Sequence, residues 1–361
     1  MPDPTAAGLL GGSRHGVLAP PSTFWPRQRA MAAFLAANGW EGVVPAPLAA
    51  DASFRCYHRL RRGPDRVIVM DAPSPQEEVG RYIAVAAILR GLGLSAPEVL
   101  AEDRANGFLL IEDFGDDTYT RLLDRGADEP ALYTLAVDAL AALHRAVAAG
   151  GDAPDLPPYD AALLLGEAAL LVDWYMPAVL GAPIATALRE EYLALWRAVL
   201  AQATGCFAPT LVLRDFHIDN LMLLPGRRGV RRCGLLDFQD AVRGPPSYDL
   251  VSLLEDARRD VPPDLRRAMT ERYLAAFPAL DRAAFARSAA ILAAQRNCKI
   301  LGIFTRLWQR DGKPGYLVHV PRLWRLLEAD LHEPPLRDIA RWLDRHLPPA
   351  IRREPDLEGA A

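Results

Sequence analysis

Lysine is nearly missing from this chain of 361 residues. Lys299 and Lys313 are the two lysines among 41 basic side chains, and arginine supplies the rest. An ammonium and a guanidinium are not interchangeable, because they differ in shape, hydration and hydrogen-bonding geometry. Any task that proteins usually assign to a lysine must therefore be done here by another residue, or not at all.

Cysteine is also scarce, and the four cysteines stand far apart without a CxxC pair. A zinc site or a disulfide framework is therefore not expected, and a reducing compartment fits. The 41 basic and 45 acidic side chains give a net charge of −4, which offers no patch for nucleic acid. There is no run of about 18 uninterrupted apolar residues and no secretory pattern at the start. We expect a cytoplasmic protein that binds neither nucleic acid nor a membrane.

What is present is most informative between residues 211 and 249. An apolar run at 211–213 ends in a polar loop that holds Asp215 and Asn220, and a second apolar run follows at once. A Pro-Gly turn then leads to a third apolar run, which ends at Asp237. Because the second and third runs are short strands joined by a turn, we expect a hairpin that brings Asn220 and Asp237 to one end.

An Asp, an Asn five residues later and an Asp seventeen residues further on are the parts that phosphoryl transfer requires. Asp215 can take the proton of an attacking hydroxyl group. The amide oxygen of Asn220 and the carboxylate of Asp237 can hold a magnesium ion that neutralises phosphate charge. The sequence thus predicts Asp215 as catalytic and the other two as metal ligands. The nearby His-x-Asp pair lacks a third spaced histidine and is a weak zinc signal.

The loop LRDFHIDN, followed by LDF and YDL, resembles the catalytic and metal-binding loops of the protein-kinase-like fold, in its aminoglycoside-phosphotransferase branch. Two longer runs carry a narrower resemblance: LLDFQDAVRGPPSYDLVSLLEDARRD and QRNCKILGIFTRLWQRDGKPGY. Both are similar to the bacterial anomeric kinases of N-acetylmuramate and N-acetylglucosamine, which make sugar 1-phosphates in cell-wall recycling. Since a fold alone does not fix a substrate, the narrower resemblance is what points to an amino sugar.

This resemblance implies an α+β protein with a bilobed protein-kinase-like fold: a small N-lobe with an antiparallel sheet and a larger, mainly helical C-lobe. We expect a flexible leader at 1–22, the N-lobe at 23–114, the C-lobe at 115–347 and a loose tail at 348–361. Local patterns agree, with a buried strand at 66–73 and a clear helical stripe over 131–147. His144 lies on that helix, where a packing role is expected.

On the nucleotide side, the resemblance implies a loop that covers the phosphates and a connection between lobes that meets the adenine. The covering loop lacks the usual glycines, so an ordinary hairpin is the alternative. The wider family ends one strand in a phosphate-binding lysine, and Met70 stands at or next to that place. Arg55 is our candidate for the missing cation, unless magnesium and backbone donors suffice. The predicted nucleotide-binding residues are Ser53, Phe54, Arg55, Met70, Glu112, Asp113 and Phe114.

On the acceptor side, the predicted substrate-binding residues are Arg214, His217, Gln239, Asp240, Arg296, Lys299 and Arg306. The last three lie on a helix expected at 284–308, where a solvated helix face is an equal alternative. Arg214 could stabilise the transferred charge, but we favour an ion pair with a carboxylate such as Asp249. The family implies a structural role for Asp249, which would brace the catalytic loop by hydrogen bonds.

Together these features predict an ATP- and Mg²⁺-dependent kinase of the anomeric hydroxyl of N-acetylmuramate and N-acetylglucosamine, acting in peptidoglycan recycling. Two alternatives remain open: a kinase of another hydroxylated acceptor, such as an aminoglycoside, choline or homoserine, and a nucleotide-binding pseudokinase. The basic residues expected around the acceptor favour a neutral or anionic sugar over a polycation. We expect a monomer, and the family implies a pathway link to a sugar-1-phosphate uridylyltransferase.

Overall fold

The computed structural model describes residues 24–48, 55–73, 79–150 and 156–356. Its first lobe contains the strands β1 (Ala46–Pro47), β2 (Cys56–Arg62), β3 (Asp65–Asp71), β4 (Val99–Asp103) and β5 (Phe108–Glu112). They form one antiparallel sheet in the order β1-β2-β3-β5-β4. Two helices, α1 (Phe24–Ala37) and α2 (Val79–Gly91), pack against this sheet.

The alternation of side chains along β3 explains why the sheet is covered by a helix on each face. Val67 and Val69 belong to the cluster that contains residues of α1. Ile68 and Met70 belong to the cluster that contains residues of α2. Because successive side chains of a strand point to opposite faces, an uninterrupted apolar run can fill both interfaces, and the predicted buried strand is confirmed.

The rest of the chain is mainly helical. The helices are α3 (Tyr119–Asp124), α4 (Glu129–Ala148), α5 (Ala161–Leu170), α6 (Met176–Leu180), α7 (Thr186–Thr204), α8 (Tyr248–Leu254), α9 (Pro263–Ala275), α10 (Arg282–Asp311), α11 (Val320–Asp330) and α12 (Arg337–His346). Four short strands lie among them: β6 (Thr210–Val212), β7 (Leu221–Leu223), β8 (Cys233–Leu235) and β9 (Val242–Gly244). Strand β6 pairs with β9, and β7 pairs with β8.

Helix α10 runs through the centre of this second lobe, where it packs against α5, α7, α8 and α11. It begins at Asp281, whose carboxylate accepts hydrogen bonds from two amides of the first turn. Its middle comes very close to α5, because a Cβ atom at Gly302 would lie 2.3 Å from the carbonyl group of Leu170. Helices α5 and α10 therefore pack nearly backbone to backbone, which fixes the side chains that both present to the catalytic loop.

The helices predicted at 131–147 and 284–308 correspond to α4 and α10, each slightly longer than predicted. Helix α5 is followed by a wider helical turn at Leu171–Tyr175, after which α6 continues in the same direction along the chain. The predicted leader at 1–22 lies outside the described residues. Single-sequence patterns rarely locate ends and interruptions of this kind.

Residues 349–356 of the predicted loose tail lie against the second lobe. Arg352 donates a hydrogen bond to Glu328 over 2.8 Å, and its guanidinium lies 5.0 Å from the centre of the Trp324 ring. This part of the tail is therefore attached, and residues 357–361 lie outside the described residues.

Two helical stretches, Glu129–Ala148 and Ala161–Leu180, are long and apolar enough to cross a membrane by length and composition alone. However, 50% and 44% of their most apolar windows are buried inside the molecule. Core helices of a soluble protein pass the same test, so these stretches are weak evidence for a membrane span.

Candidate active site

Strands β7 and β8 form the expected hairpin and bring the two predicted metal ligands to one end. Leu221 pairs with Leu235 in its register, and the Leu236 N–H donates to the carbonyl of Asn220 over 2.9 Å. Asn220, which precedes β7, and Asp237, which follows β8, therefore lie at the same open end of the hairpin.

Two residues of this region have a left-handed backbone, Arg214 with φ 72° and Asp237 with φ 55°. They are the non-glycine residues with positive φ in the described ranges of the chain. Such a conformation costs about 1–3 kcal/mol and persists where the surroundings hold it, often at functional sites. One strained residue directly precedes Asp215, and the other is a predicted metal ligand.

Asp249, in the first turn of α8, contacts the backbone that leads into the catalytic loop. Its carboxylate accepts hydrogen bonds from the N–H groups of Leu213, over 2.6 Å, and Arg214, over 2.9 Å. Burial raises the pKa of Asp249 to about 7, although the two backbone donors act to lower it. These contacts are the kind that the predicted bracing role requires.

The structure corrects the favoured partner of the Arg214 side chain. Its guanidinium pairs with the carboxylate of Glu167 on α5, not with Asp249. It also lies 5.6 Å from the centre of the Tyr159 ring. Asp249 binds the backbone of Arg214 and Glu167 binds its side chain, so two different carboxylates hold this one residue.

Glu167 is the centre of a buried group of polar side chains, which we call the Glu167 cluster: Glu167, Tyr159, Arg214, Gln295 and Lys299. The Lys299 ammonium lies 2.9 Å from the carboxylate. The Tyr159 hydroxyl donates to it over 2.5 Å and the Gln295 amide over 3.2 Å. Burial alone would raise the pKa of Glu167, but Lys299 and Arg214 lower it to about 2. The carboxylate is therefore ionised at neutral pH.

Asp215 is partly exposed, and two loop side chains lie beside it. The Asn220 amide nitrogen donates to the Asp215 carbonyl over 3.0 Å and lies 3.3 Å from Nε2 of His217. Because the amide nitrogen of Asn220 makes these two contacts, its amide oxygen points away from the Asp215 carbonyl and from His217. His217 is buried, and burial lowers the pKa of its imidazole.

Asp237 contacts a buried arginine and a buried amide. The Arg55 guanidinium lies 3.1 Å from Oδ1 of Asp237, and Gln239 donates to the same oxygen over 2.9 Å. Asp240 lies further out, 3.9 Å from Arg81 of α2, with both side chains about half exposed. The structure thus brings the candidate replacement for the missing lysine to the predicted metal carboxylate.

An amide oxygen and a carboxylate oxygen are hard donors, which suit magnesium held by few protein groups together with phosphate oxygens. The guanidinium beside Asp237 is a cation at the place where a metal would bind. Within the described residues, no group of three or more His, Cys, Asp or Glu side chains is placed to hold a metal. The chemistry of the Asn220 amide and the Asp237 carboxylate fits a magnesium ion whose other ligands are supplied from outside the protein.

Comparison with known proteins agrees with this geometry. The sequence model of the family described as "Phosphotransferase enzyme family" matches residues 44–291. That segment is more than half of the chain and includes Asp215, Asn220 and Asp237. The chain belongs to the phosphotransferase enzyme family.

Curated relatives match this phosphotransferase over nearly their whole lengths. One from Caulobacter vibrioides, named N-acetylmuramate/N-acetylglucosamine kinase, is 40% identical over 359 residues, which covers 91% of this chain and 98% of the relative. One of the same name from Pseudomonas aeruginosa is 39% identical over 323 residues, covering 85% and 90%.

Solved structures confirm the predicted kinase-like α+β fold. The GDP complex of wild-type aminoglycoside 2'-phosphotransferase-IIIa has a TM-score of 0.55 at 18% identity and covers 84% of this chain and 98% of its own. A choline kinase from Streptococcus pneumoniae has a TM-score of 0.58 at 13% identity, covering 85% and 99%. At these identities the likeness is one of fold.

In the phosphotransferase, the connection after β5 is held from the sheet lobe by Arg59. This buried arginine of β2 lies 2.8 Å from both Asp113 and Asp116 and donates to the Gly115 carbonyl over 2.9 Å. Because Asp113 is also buried, this is an interior ion pair. Loss of either partner would leave the other buried charge with a more exposed partner, Asp116 for Arg59 or Arg66 for Asp113.

The same connection is held from the catalytic hairpin by Arg227. Its guanidinium pairs with Glu112 and lies 5.0 Å from the centre of the Phe114 ring. Phe114 packs directly on β8, since a Cβ atom at Gly234 would lie 2.9 Å from its ring. The predicted adenine-binding segment and the hairpin with the metal ligands are therefore joined by direct contacts.

Met70, at the place of the family's lysine, is fully buried in the interface between the sheet and α2. The next residue, Asp71, accepts a hydrogen bond from Arg27 over 2.8 Å. Neither position contributes a cation to the site. The other two predicted phosphate-loop residues, Ser53 and Phe54, lie outside the described residues.

The basic residues of α10 do not form a solvated face, so that alternative is wrong for two of them. Lys299 and Arg296 are buried; Lys299 joins the Glu167 cluster, and Arg296 donates to the Glu255 carbonyl over 3.1 Å. Arg306 is different. Its guanidinium is partly buried, and burial lowers its pKa. Its predicted role in substrate binding stays a prediction.

Sequence reasoning missed Glu167, although the sequence contains a signal for it. Helix α5 reads AALLLGEAAL, so Glu167 is the single charged residue of an apolar helix. A carboxylate in such a setting is buried only with partners. Those partners, on the catalytic loop, α10 and the segment before α5, cannot be identified without the fold.

Proposed function

We propose that this phosphotransferase is an ATP-dependent anomeric sugar kinase that phosphorylates the C1 hydroxyl of N-acetylmuramate and N-acetylglucosamine. The observation that carries the proposal is the match to relatives named N-acetylmuramate/N-acetylglucosamine kinase, 40% and 39% identical over 91% and 85% of this chain. The arrangement of Asp215, Asn220 and Asp237 on one loop and hairpin supports the chemistry. Structures of the same fold with bound GDP or ADP support the use of a nucleotide.

Asp215 is the proposed catalytic residue. It would accept the proton of the acceptor hydroxyl as that oxygen attacks the γ-phosphorus, and the bond to the β-γ bridging oxygen breaks as nucleoside diphosphate leaves. An anomeric hydroxyl is more acidic than an ordinary alcohol, so a carboxylate is an adequate base for it. Positioning and electrostatics supply most of the rate enhancement in such a transfer.

Asn220 and Asp237 would hold magnesium through the amide oxygen and the carboxylate. When bound, the ion neutralises charge on the phosphates. Gln239 donates to Asp237 and is better suited to orient this carboxylate than to meet a sugar hydroxyl. Asp237 should matter more than Asn220, because it contributes the charge.

Arg55 is the proposed phosphate-binding cation. It is buried and lies 3.1 Å from Asp237, so phosphates bound beside Asp237 would be within its reach. A guanidinium can hold two phosphate oxygens at once, which suits a chain without the family's lysine. Ser53 and Phe54 remain proposed neighbours of the phosphates, while Met70 would contribute apolar packing near the nucleotide. Glu112, Asp113 and Phe114 are proposed to meet the adenine through their backbone.

On the acceptor side, Arg214, His217 and Lys299 are the proposed neighbours of the sugar, since each acts electrostatically on Asp215 or is acted on by it. This basic setting favours a neutral or anionic sugar, and N-acetylmuramate carries a carboxylate that an arginine could hold. Asp240, Arg296 and Arg306 remain weaker candidates.

We also propose an N-lobe at 23–114 and a C-lobe at 115–347, meeting at the connection that Arg59 and Arg227 hold. A monomer in the cytoplasm is the proposed state. The product, a sugar 1-phosphate, would serve a uridylyltransferase in peptidoglycan recycling.

Phosphorus NMR of the purified protein with Mg-ATP and a panel of acceptors tests the proposal. The panel contains N-acetylmuramate, N-acetylglucosamine, kanamycin, choline and homoserine. We expect a sugar 1-phosphate signal with both amino sugars. Phosphorylation of another acceptor would retain the mechanism and overturn the substrate. Nucleotide binding without turnover would favour a pseudokinase.

A further inference from the structure

The residue before the proposed catalytic Asp215 is held in an unfavourable backbone conformation. Arg214 has φ 72°, a region that non-glycine residues rarely occupy. A loop with this strain stays in place only where contacts over-determine it. Asp249 supplies one such contact by accepting hydrogen bonds from the backbone N–H groups of Leu213 and Arg214, but these bonds do not hold the Arg214 side chain.

Glu167 supplies a second contact, from the opposite end of the same residue. Its carboxylate pairs with the Arg214 guanidinium, and this contact joins the start of the catalytic loop to α5 next to Asp215. Asp249 on the backbone and Glu167 on the side chain thus hold Arg214 from both ends, and this fixes the orientation of the following residue, Asp215.

The carboxylate of Glu167 is itself held rigidly. Gln295 donates both to Glu167, over 3.2 Å, and to the Leu164 carbonyl, over 2.9 Å. Lys299 lies one turn further along α10 and contacts the other oxygen of Glu167. Since Gly302 lets the two helix backbones touch, this part of α5 and α10 is a stiff support.

A buried ion network of this kind is a poor way to stabilise a fold. The desolvation of one carboxylate and two cations offsets most of their attraction, and apolar side chains often do as well. The position of this ion network beside a strained loop therefore indicates that it orients the loop. We propose that Glu167 is a positioning residue for phosphoryl transfer, which acts through Arg214 to keep Asp215 in its reactive orientation. This inference rests on the proposed function.

The principal test is Glu167→Gln, which keeps the shape and removes the charge. A misplacement of about 1 Å near the reacting atoms can cost about a hundredfold in rate, so we expect kcat to fall about 10- to 100-fold. The KM for Mg-ATP should change by less than about threefold, because the nucleotide side is untouched. Glu167→Asp, with a shorter side chain, should recover part of the loss.

A double-mutant cycle separates positioning from general destabilisation. If Glu167 acts through Arg214, then Glu167→Gln should reduce kcat little further in an Arg214→Met background. Independent, additive effects would overturn the proposal. Asp330→Asn is the control for a change at another buried acidic side chain. Burial raises the pKa of Asp330, and its side chain contacts Asn297 over 3.0 Å, not the catalytic loop.

Glu167→Gln leaves two buried cations without their carboxylate and could unfold. Glu167→Gln combined with Lys299→Met keeps the charge balance and serves as the second variant. Amide hydrogen exchange of a peptide spanning 211–220 gives a readout without any substrate. We expect faster exchange in both variants and unchanged exchange in Asp330→Asn. Unchanged exchange in the Glu167 variants would overturn the proposal.

Activity of wild type and Glu167→Gln towards the amino sugars, measured beside the hydrogen exchange, distinguishes this proposal from the proposed function. If wild type phosphorylates the amino sugars and Glu167→Gln does so at full rate, the positioning role alone fails. If wild type phosphorylates neither, the substrate assignment fails, and the exchange measurement still decides whether Glu167 holds the loop.

Discussion

The two sides of the candidate active site are built differently. On the acceptor side, Arg214 and the loop it leads into are held by two buried carboxylates, Asp249 and Glu167. On the nucleotide side, Asp237 meets buried Arg55, but the adjoining pair Arg81–Asp240 is long and half exposed. Exposed pairs contribute little, whereas breaking a buried network is costly. We infer that the protein alone fixes the backbone beside the proposed base Asp215, whereas the surroundings of Asp237 gain their remaining partners from the proposed nucleotide and metal.

The largest effect should come from the acceptor side. Asp215→Asn keeps the size of the side chain and removes the proposed base, so kcat should fall about a hundredfold or more, by the usual scale for such residues. Asp219→Asn is the matched control in the same loop. Its carboxylate binds Thr120 and Arg258, and we expect a loss of less than about tenfold. Rates for Asp215→Asn near wild type would remove Asp215 from its role.

The packing of α5 against α10, which supports Glu167, can be disrupted without changing a charged residue. In Gly302→Ala the new methyl group would lie 2.3 Å from the backbone of Leu170, so α5 and α10 must separate. We expect a loss of about 3 kcal/mol in the free energy of unfolding, the upper end for overpacking. Gly166→Ala is the control beside Glu167, because nothing lies within 4 Å of its Cβ position. It should stabilise by up to about 1 kcal/mol. Urea unfolding of both variants measures the contrast.

The comparison also indicates what a sequence can reveal. The hairpin of Asn220 and Asp237 was predictable, because its strands, turn and polar ends lie within a short stretch whose local pattern forms the structure. The kinase-like fold was predictable from the motifs in the same stretch. What those motifs do not contain is the set of residues that hold them.

Glu167 illustrates this limit. Its partner Arg214 is 47 positions away, and the pairing depends on how α5 lies beside β6. The sequence suggested a carboxylate for Arg214 but favoured Asp249, which is the partner of the backbone instead. Likewise, the spacing of Arg296, Lys299 and Arg306 gave no indication that the first two are buried. Burial of charged residues is decided by tertiary packing, which a local pattern does not encode.

The acceptor side also contains a group that should make stability depend on pH. Burial lowers the pKa of His144 on α4 to about 4 from its ordinary 6.5, and its Nε2 lies 3.2 Å from the Leu211 carbonyl of β6. Between these pH values the unfolded chain binds a proton that the folded imidazole does not. The contribution of His144 to stability is therefore complete above about pH 6.5 and falls as the pH decreases towards 4, by about 2 kcal/mol at pH 5.

Urea unfolding at pH 5 and pH 7 measures this effect. His144→Gln should lose the His144 contribution, so its stability should change less between the two pH values than that of wild type. His332→Gln, at an exposed histidine, is the control and should keep the wild-type difference. An unaltered pH dependence in His144→Gln would contradict the assignment.

The smallest effect should come from the nucleotide side. In Arg55→Ala, the phosphates lose one charge-assisted contact, worth about 1.5 kcal/mol at the lower end of the range. The KM for Mg-ATP should therefore rise about tenfold, with a smaller change in kcat. Arg61→Ala, at an exposed arginine of β2, the strand that follows Arg55, is the control and should leave both constants unchanged. Arg55→Lys should recover only part of the loss, because an ammonium cannot grip two oxygens in the same way. An unchanged KM for Arg55→Ala would mean that backbone donors and metal suffice, and that the nucleotide side works without any replacement for the missing lysine.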